Sequence, residues 1–290
     1  MATLKELRIR LKSLKNTKKI TAAMKMVSAA KLKRAKEASE SAKPYINSLS
    51  DVLGRLSSSN QNIQNPLLES REVKHVHYIV FSSDRGLCGG FNNNLIKVFY
   101  KNLKDVDYNF SVSIVGKKAN DQIKKTKMDI TGFYPGMASK FSFQNAQELS
   151  DEASAKFIKG EYDKVVLVYN QFKSTINQTP TQFQLLPFEN IKEEKAVSES
   201  ISEAPDYIFE PNQASLINDI LPKHISIQVF QAMLDNSAGE HAARMTAMEN
   251  ATNNANDYID SLSIQMNRAR QAAITTELTE IVSGAESLNN

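Results

Sequence analysis

The chain has 290 residues, 41% of them hydrophobic and 23% charged, enough for at least one buried core and, at ~150 residues per domain, for one or two units. Its single cysteine, Cys88, excludes an internal disulfide and a cysteine-cluster metal site, and it fits a reducing compartment. No run approaches the ~20 consecutive apolar residues of a membrane span, and the start lacks the apolar block of a secretory signal.

The net charge of +4 conceals an asymmetry: residues 1 to 43 hold thirteen Lys/Arg against three Glu, a balance of +10, which leaves −6 for the remainder. This basic, Ser/Thr-containing start resembles a transit peptide in composition. Its helical pattern nevertheless continues past residue 30 without a small-residue cleavage site, so it reads as mature structure. Leu4, Leu7, Leu11 and Leu14 alternate three- and four-residue steps, the spacing of a helical seam, and the seam then passes to Ile20, Met24 and Val27 with a change of phase. One helix is predicted from Thr3 to Leu56, with Pro44 as a break or kink, followed by a polar connector.

From Val73 to Leu186 short β-rich runs alternate with helix-length polar pieces. Val76 to Phe81, Val112 to Val115 and Val165 to Tyr169 suit strands buried on both faces, and Thr181 to Leu186 an edge strand. Asn93 to Leu103, Lys117 to Lys125 and Ala146 to Lys159 are the expected crossover helices, giving a small, mostly parallel sheet. His75 and His77 alternate along the first strand, but no carboxylate or thiol motif completes a metal site, and they read as ordinary strand residues. Glu189 to Glu203, charged and poor in apolar residues, is expected to be an exposed loop.

A final helix is expected after Pro211, with Pro222 as a kink or as the end of a short leading helix. From Ile225 to about Val282 only Gly239 interrupts, so this helix would extend ~85 Å at about 1.5 Å per residue and project from a globular part. Its seam is Met245, Met248, Thr252, Ala255, Ile259, Leu262, Met266, Ala269 and Ala273. Residues 225 to 290 hold three Arg against eight Asp/Glu, so the two ends carry opposite charge and are suited to pair.

The segments are therefore 1–56 (N-terminal coiled-coil helix), 57–72 (connector), 73–188 (central α/β domain), 189–211 (exposed loop) and 212–290 (C-terminal coiled-coil helix). The fold class is α/β, a long coiled coil of the terminal helices plus a mostly parallel, Rossmann-like domain.

Three function classes fit these features. Ser83-Asp84-Arg85-Gly86-Leu87-Cys88-Gly89-Gly90-Phe91-Asn92 follows the first strand, where nucleotide folds place their phosphate loops, but it holds neither Gly-Lys-Ser/Thr nor G-x-G-x-x-G. A nucleotide-binding α/β enzyme with helical arms is thus one alternative, with the glycines of this loop read first as a tight turn. A basic coiled-coil adaptor for nucleic acid is another, weakened by the absence of interleaved aromatics and by an acidic partner helix. The third is a mechanical or interaction part. Arg268 to Ile281 has polar groups all round the helix and cannot be buried against only one neighbour.

Three blocks carry a family resemblance: Ile20 to Lys31, Ser83 to Asn92, and Ala242 to Met248 joined to Arg268 through Gly284. In order, spacing and position they resemble the γ subunits of F-type ATP synthases, the rotor shafts of that enzyme. The resemblance implies an antiparallel coiled coil inside a ring of three α and three β subunits, one copy per complex. It further implies partners in the ε subunit and the c ring, no nucleic acid, no cofactor or metal, and no catalytic site on this chain. Carried over by position, Met24, Arg244, Arg270, Gln271, Thr275 and Glu277 would face β or α, and Tyr207 and Glu210, in Asp206 to Pro211, the c ring or ε. Phe209 stands where many relatives have Tyr. With one cysteine and no redox insertion, thiol control of the plant type is not implied. The implied location is the cytoplasmic face of a bacterial inner membrane, with the matrix side of the mitochondrial inner membrane as the alternative.

Overall fold

The computed structural model describes residues 3–59, 65–104, 106–126, 128–139, 142–188 and 213–288. It divides into two compact units, one formed by Met1–Ser28 with Met245–Asn290 and the other by Ala29–Arg244. Helices α1 (Leu4–Ser59) and α5 (Gln213–Leu288) contribute to both.

In the first unit α1 opens with a reciprocal cap: Thr3 Oγ1 accepts from Glu6 N at 3.3 Å, and Glu6 Oε2 accepts from Thr3 N at 3.2 Å. The two helices run antiparallel, since Thr252 Oγ1 donates to Thr21 Oγ1 at 2.7 Å while Lys25 pairs with Glu249 at 2.6 Å, one turn on in one helix and one turn back in the other. Leu7 is buried and Leu4, Leu11 and Leu14 are half-buried.

Beyond Leu14 the expected seam is displaced. Ile20 and Val27 are 60% and 57% exposed, and Thr21 and Ser28 are buried instead. Their hydroxyls donate to the backbone of their own helix, Thr21 to Lys18 O at 3.1 Å and Ser28 to Met24 O at 2.8 Å. A small side chain satisfied in this way can face a neighbouring helix without an unpaired polar atom. On α5 the inward positions run from Met245 to Ala269 and then stop, and Ala273, expected in the seam, is exposed. Helix α1 begins at Leu4, so this antiparallel register offers Ala273 no opposing turn.

The second unit is built on a five-stranded sheet of β1 (His75–Phe81), β2 (Asn109–Val115), β3 (Ile130–Tyr134), β4 (Lys164–Phe172) and β5 (Gln178–Leu186), in the order β3-β2-β1-β4-β5. Strands β1 to β4 are parallel and β5 is antiparallel to β4. Period-two geometry sends Val76, Tyr78 and Val80 to one face and Ile79 and Phe81 to the other. On the first face they pack with Leu95, Ile96 and Phe99 of α2 (Phe91–Asn102) and with Ala119 and Ile123 of α3 (Lys117–Ile123). On the second they meet Leu149, Ala153 and Phe157 of α4 (Phe143–Ile158) and Leu221, Ile225 and Val229 of α5.

Three elements differ from the sequence reading. β3 was not expected, because Gly132 interrupts its apolar alternation; a Cβ at Gly132 would stand 2.7 Å from Ser113 Oγ, so close strand approach requires the glycine. Pro44 does not end α1 and Pro222 does not end α5. Each ring denies a donor to the carbonyl four residues earlier, and in both cases that residue, Glu40 or Asn218, is exposed, so the carbonyl can reach water. The polar connector also begins later than expected, since α1 continues to Ser59.

Candidate functional site

In an open α/β sheet ligands bind at the carboxyl ends of the strands where the strand order reverses, which here is between β1 and β4. Loop Ser83 to Asn92 sits at that end. Its polar groups are turned on one another: Asn92 Oδ1 accepts from Ser83 N at 3.0 Å, Asn92 Nδ2 donates to Ser83 Oγ at 2.7 Å, and Ser83 Oγ donates to Arg85 O at 2.7 Å. Asp84 Oδ1 accepts from the amides of Lys117 at 3.3 Å and Gly136 at 3.1 Å, which ties the loop to α3 and to the turn after β3. Of the loop's three glycines only Gly89 has positive φ, at 58°, and the non-glycine Leu87 carries a second left-handed backbone at 62°.

Helix α5 fills the crevice. Gly239 approaches so closely that a Cβ there would stand 3.0 Å from the Phe91 ring and 3.7 Å from Asn170 O of β4. One turn on, Arg244 is buried, and its guanidinium donates to Arg85 O at 3.0 Å and to Gly86 O at 3.2 Å while pairing with Glu240 at 2.7 Å. Both side chains of that pair are under 10% exposed. Burial pushes the Glu240 carboxyl above its ordinary range, with the Arg244 charge opposing that rise. His241, lowered to about 4 by burial and by Arg244, is neutral at physiological pH and offers Nδ1 to Arg244 Nη1 at 3.3 Å. Cys88 is buried, and burial raises its thiol pKa despite Arg244, so it is a packed thiol rather than a nucleophile.

The loop is thus a docking point for α5 and has no open phosphate cradle. The sequence marked Arg244 but missed Glu240; the i, i+4 spacing of an acid and an arginine in an otherwise Ala-rich turn was the available signal.

The remaining sequence-selected residues lie elsewhere. Met24 is half-buried on α1. Arg270, Gln271, Thr275 and Glu277 are all exposed on the last turns of α5, where Thr275 Oγ1 donates back to Gln271 O at 2.9 Å. The same turns carry Ile274, Leu278, Ile281 and Val282, between 49% and 67% exposed, at the i, i+4, i+7, i+8 spacing of one helix face. Among the described residues no other element covers this stripe. Tyr207, Phe209 and Glu210 lie outside the described residues.

His75 and His77 hydrogen-bond Ser111 and Ser113 at 2.9 to 3.0 Å, and His77 stacks on Tyr162 with centroids 4.3 Å apart. Among the described residues no group of His, Cys, Asp and Glu is arranged to hold a metal ion, and no described helix is long and apolar enough to cross a membrane.

Residues 3–288 match the family model described as ATP synthase. The chain is 45% identical to the ATP synthase gamma chain of Chlorobium phaeobacteroides, with 99% of each covered, and 44% identical to that of Pelotomaculum thermopropionicum, covering 99% of this chain and all of the other. Among solved structures it resembles a chain of the Tetrahymena thermophila mitochondrial ATP synthase central stalk and c ring, at 26% identity and a TM-score of 0.61 over 80% of this chain and 99% of that one. A chain of the Euglena gracilis mitochondrial ATP synthase rotor shares the fold, with a TM-score of 0.68 at 20% identity over 93% of this chain and 98% of that one.

Proposed function

The chain belongs to the ATP synthase gamma-chain family, a non-catalytic subunit of the central stalk, and from that premise we propose how its surfaces divide the work. The carrying observation is that inward-facing positions of α5 end at Ala269, after which the helix continues to Leu288 with an exposed apolar stripe. Such a surface needs neighbours on several sides, and a ring of three α and three β subunits around one copy of this chain supplies them. Met24, Arg270, Gln271, Thr275 and Glu277 are the contacts we assign to that ring. Arg244, bonded to Glu240 and to the carbonyls of Arg85 and Gly86, is assigned to that ring through the loop that it holds.

An asymmetric shaft presents a different contact set to each chemically identical β subunit. A difference of about 1.4 kcal/mol between two β conformations biases them tenfold, and several contacts together reach on the order of a thousandfold. Rotation then exchanges the nucleotide affinities of the three sites. The driving rotation comes from the proton-driven c ring, to which Tyr207 and Glu210 are assigned, beside ε. The location that follows is peripheral, on the cytoplasmic face of a bacterial inner membrane, with the mitochondrial matrix face as the alternative.

The test uses Arg270→Ala with Gln271→Ala in the complete synthase, reconstituted into sealed vesicles across which a proton gradient is imposed. Proton-driven synthesis should fall at least about fivefold while the isolated chain keeps its unfolding midpoint. Unchanged synthesis in fully assembled complexes rejects the contact role. The competing enzyme reading requires nucleotide turnover by the chain alone, and the filled crevice argues against it.

A further inference from the structure

The sheet of the second unit has a second concavity, at the end opposite the filled crevice. Strand register sets Val76 beside Lys164, and Tyr78 beside Val166, which in turn lies beside Gln184. Over these rows, on the face that carries α2 and α3, lies a cavity of about 350 Å³, within the size range of small-molecule sites. Tyr108, from the loop before β2, and Gln182 complete its polar lining.

The lining is rich in unspent donors. Gln182 Nε2 is fully buried and has no hydrogen-bond acceptor. An orphaned buried amide of this sort is destabilising unless something fills the space beside it. Among the described residues no carboxylate lies within ion-pair distance of the Lys164 ammonium. The phenols of Tyr78 and Tyr108 are 2.8 Å apart, and their mutual bond consumes only one of their two protons. Burial and that bond hold the Tyr78 phenol well above its ordinary range, so it keeps its proton. Gln184 Nε2 is already committed to Pro187 O at 2.9 Å. Around these groups the walls are aliphatic, from Val73, Val76 and Val166.

An ammonium, a buried amide N–H and a spare phenol proton lining one pocket with valines call for an acceptor bearing negative charge on a short hydrocarbon body. We propose that this cavity is a binding site for a small free carboxylate, whose oxygens lie between Lys164 Nζ and Gln182 Nε2 and whose hydrocarbon covers Val76 and Val166. Such a ligand satisfies the buried amide and gives Lys164 a counterion.

The test is calorimetric titration of hexanoate into the purified full chain, with hexan-1-ol and hexylamine as shape-matched controls. Hexanoate is expected to bind below about 1 mM and the controls at least about tenfold more weakly. Lys164→Met, which keeps the stem and removes the charge, is expected to weaken hexanoate about tenfold, and Gln182→Leu to do so independently. A circular-dichroism melt accompanies each variant, and if one fails to fold the other carries the test. Absence of binding up to about 10 mM, equal affinity for hexan-1-ol, or binding indifferent to both substitutions overturns the proposal. Repeating the titration on the assembled synthase separates the sources of the carboxylate. Retained binding supports a free ligand, whereas loss on assembly assigns the pocket to a carboxylate of a neighbouring polypeptide and overturns it.

Discussion

Arg244 is held by one carboxylate and two backbone carbonyls inside a site where it is almost wholly buried. Removing one member of such a pair leaves the other charged or forces it to take a proton, so Arg244→Ala should cost about 3–5 kcal/mol in the urea unfolding of the isolated chain. The milder Glu240→Gln keeps a hydrogen-bonding partner and should cost less than half as much; equal losses would contradict the view that the buried charge is what matters. Asp235 provides a pH test. Burial raises its carboxyl from 3.8 to about 6, against the hydrogen bond from Gln231 and the charge of Lys43. Between pH 4 and 6 the folded chain therefore holds a proton that the unfolded chain has released, and stability falls as pH rises through that window. With partial exposure discounted, Asp235→Asn should gain about 2 kcal/mol over wild type at pH 7 and close to nothing at pH 4, measured by urea midpoints at both pH values. His77, His224 and His241, lowered to about 3, 4 and 4, pull the other way, losing stability as pH falls below 6.5. They are common to both chains and cancel in that comparison.

Among the elements, α5 shows what periodicity can and cannot convey. Its inward positions from Met245 to Ala269 follow the three-and-four spacing, because a helix packed along one side has to bury one stripe. Upstream, where the helix is wrapped by the sheet and α4, residues 224 to 227 are buried in succession and no stripe exists to be seen. On α1 the apolar pattern misleads after Leu14: the buried face is set by the small hydroxyl residues Thr21 and Ser28, and Ile20 and Val27 face outward. Hydropathy alone cannot separate an exposed apolar residue from one buried in the fold. Strands β1, β2 and β4 were legible as continuous apolar runs, while β3 was concealed by a glycine that close packing requires. Gly239 can be tested directly. A helix interior usually gains about 1 kcal/mol from Gly→Ala, but a Cβ here meets the buried Phe91 ring at 3.0 Å. Gly239→Ala should gain nothing, and Gly239→Val should lose about 2 kcal/mol or more, measured by thermal or urea unfolding. A stabilised Val variant would mean that α5 does not seat against the strand ends.

For the chain as a whole, local stability should be graded. The amides of β1 and β4, central in the sheet and buried on both faces, should exchange hydrogen only on global unfolding, whereas those past Arg270 on α5 should exchange fastest among the helical residues of the isolated chain. In the assembled synthase the same turns should become protected by at least about a hundredfold; unchanged exchange on assembly would deny them a bearing role. The charge asymmetry between the chain's two ends, plain in the sequence, has a single described ion pair across the helix pair, Lys25 with Glu249. At 40% and 46% exposure this pair is worth less than about 1 kcal/mol, so it guides register more than it stabilises. Most of the basic side chains of α1 remain exposed.

The seating of Gly239 and Arg244 at the strand ends changes what that part of the fold can be used for. Where related sheets admit a diffusible molecule that arrives and departs, this one holds a tenon of its own polypeptide, locked by charge and by close backbone fit. At that level α5 is bonded through Arg244 to the carbonyls of Arg85 and Gly86 in the loop after β1, and Gly239 lies against Phe91 and Asn170, which are themselves hydrogen-bonded. A crevice that serves elsewhere as a chemical socket is here a joint within the chain.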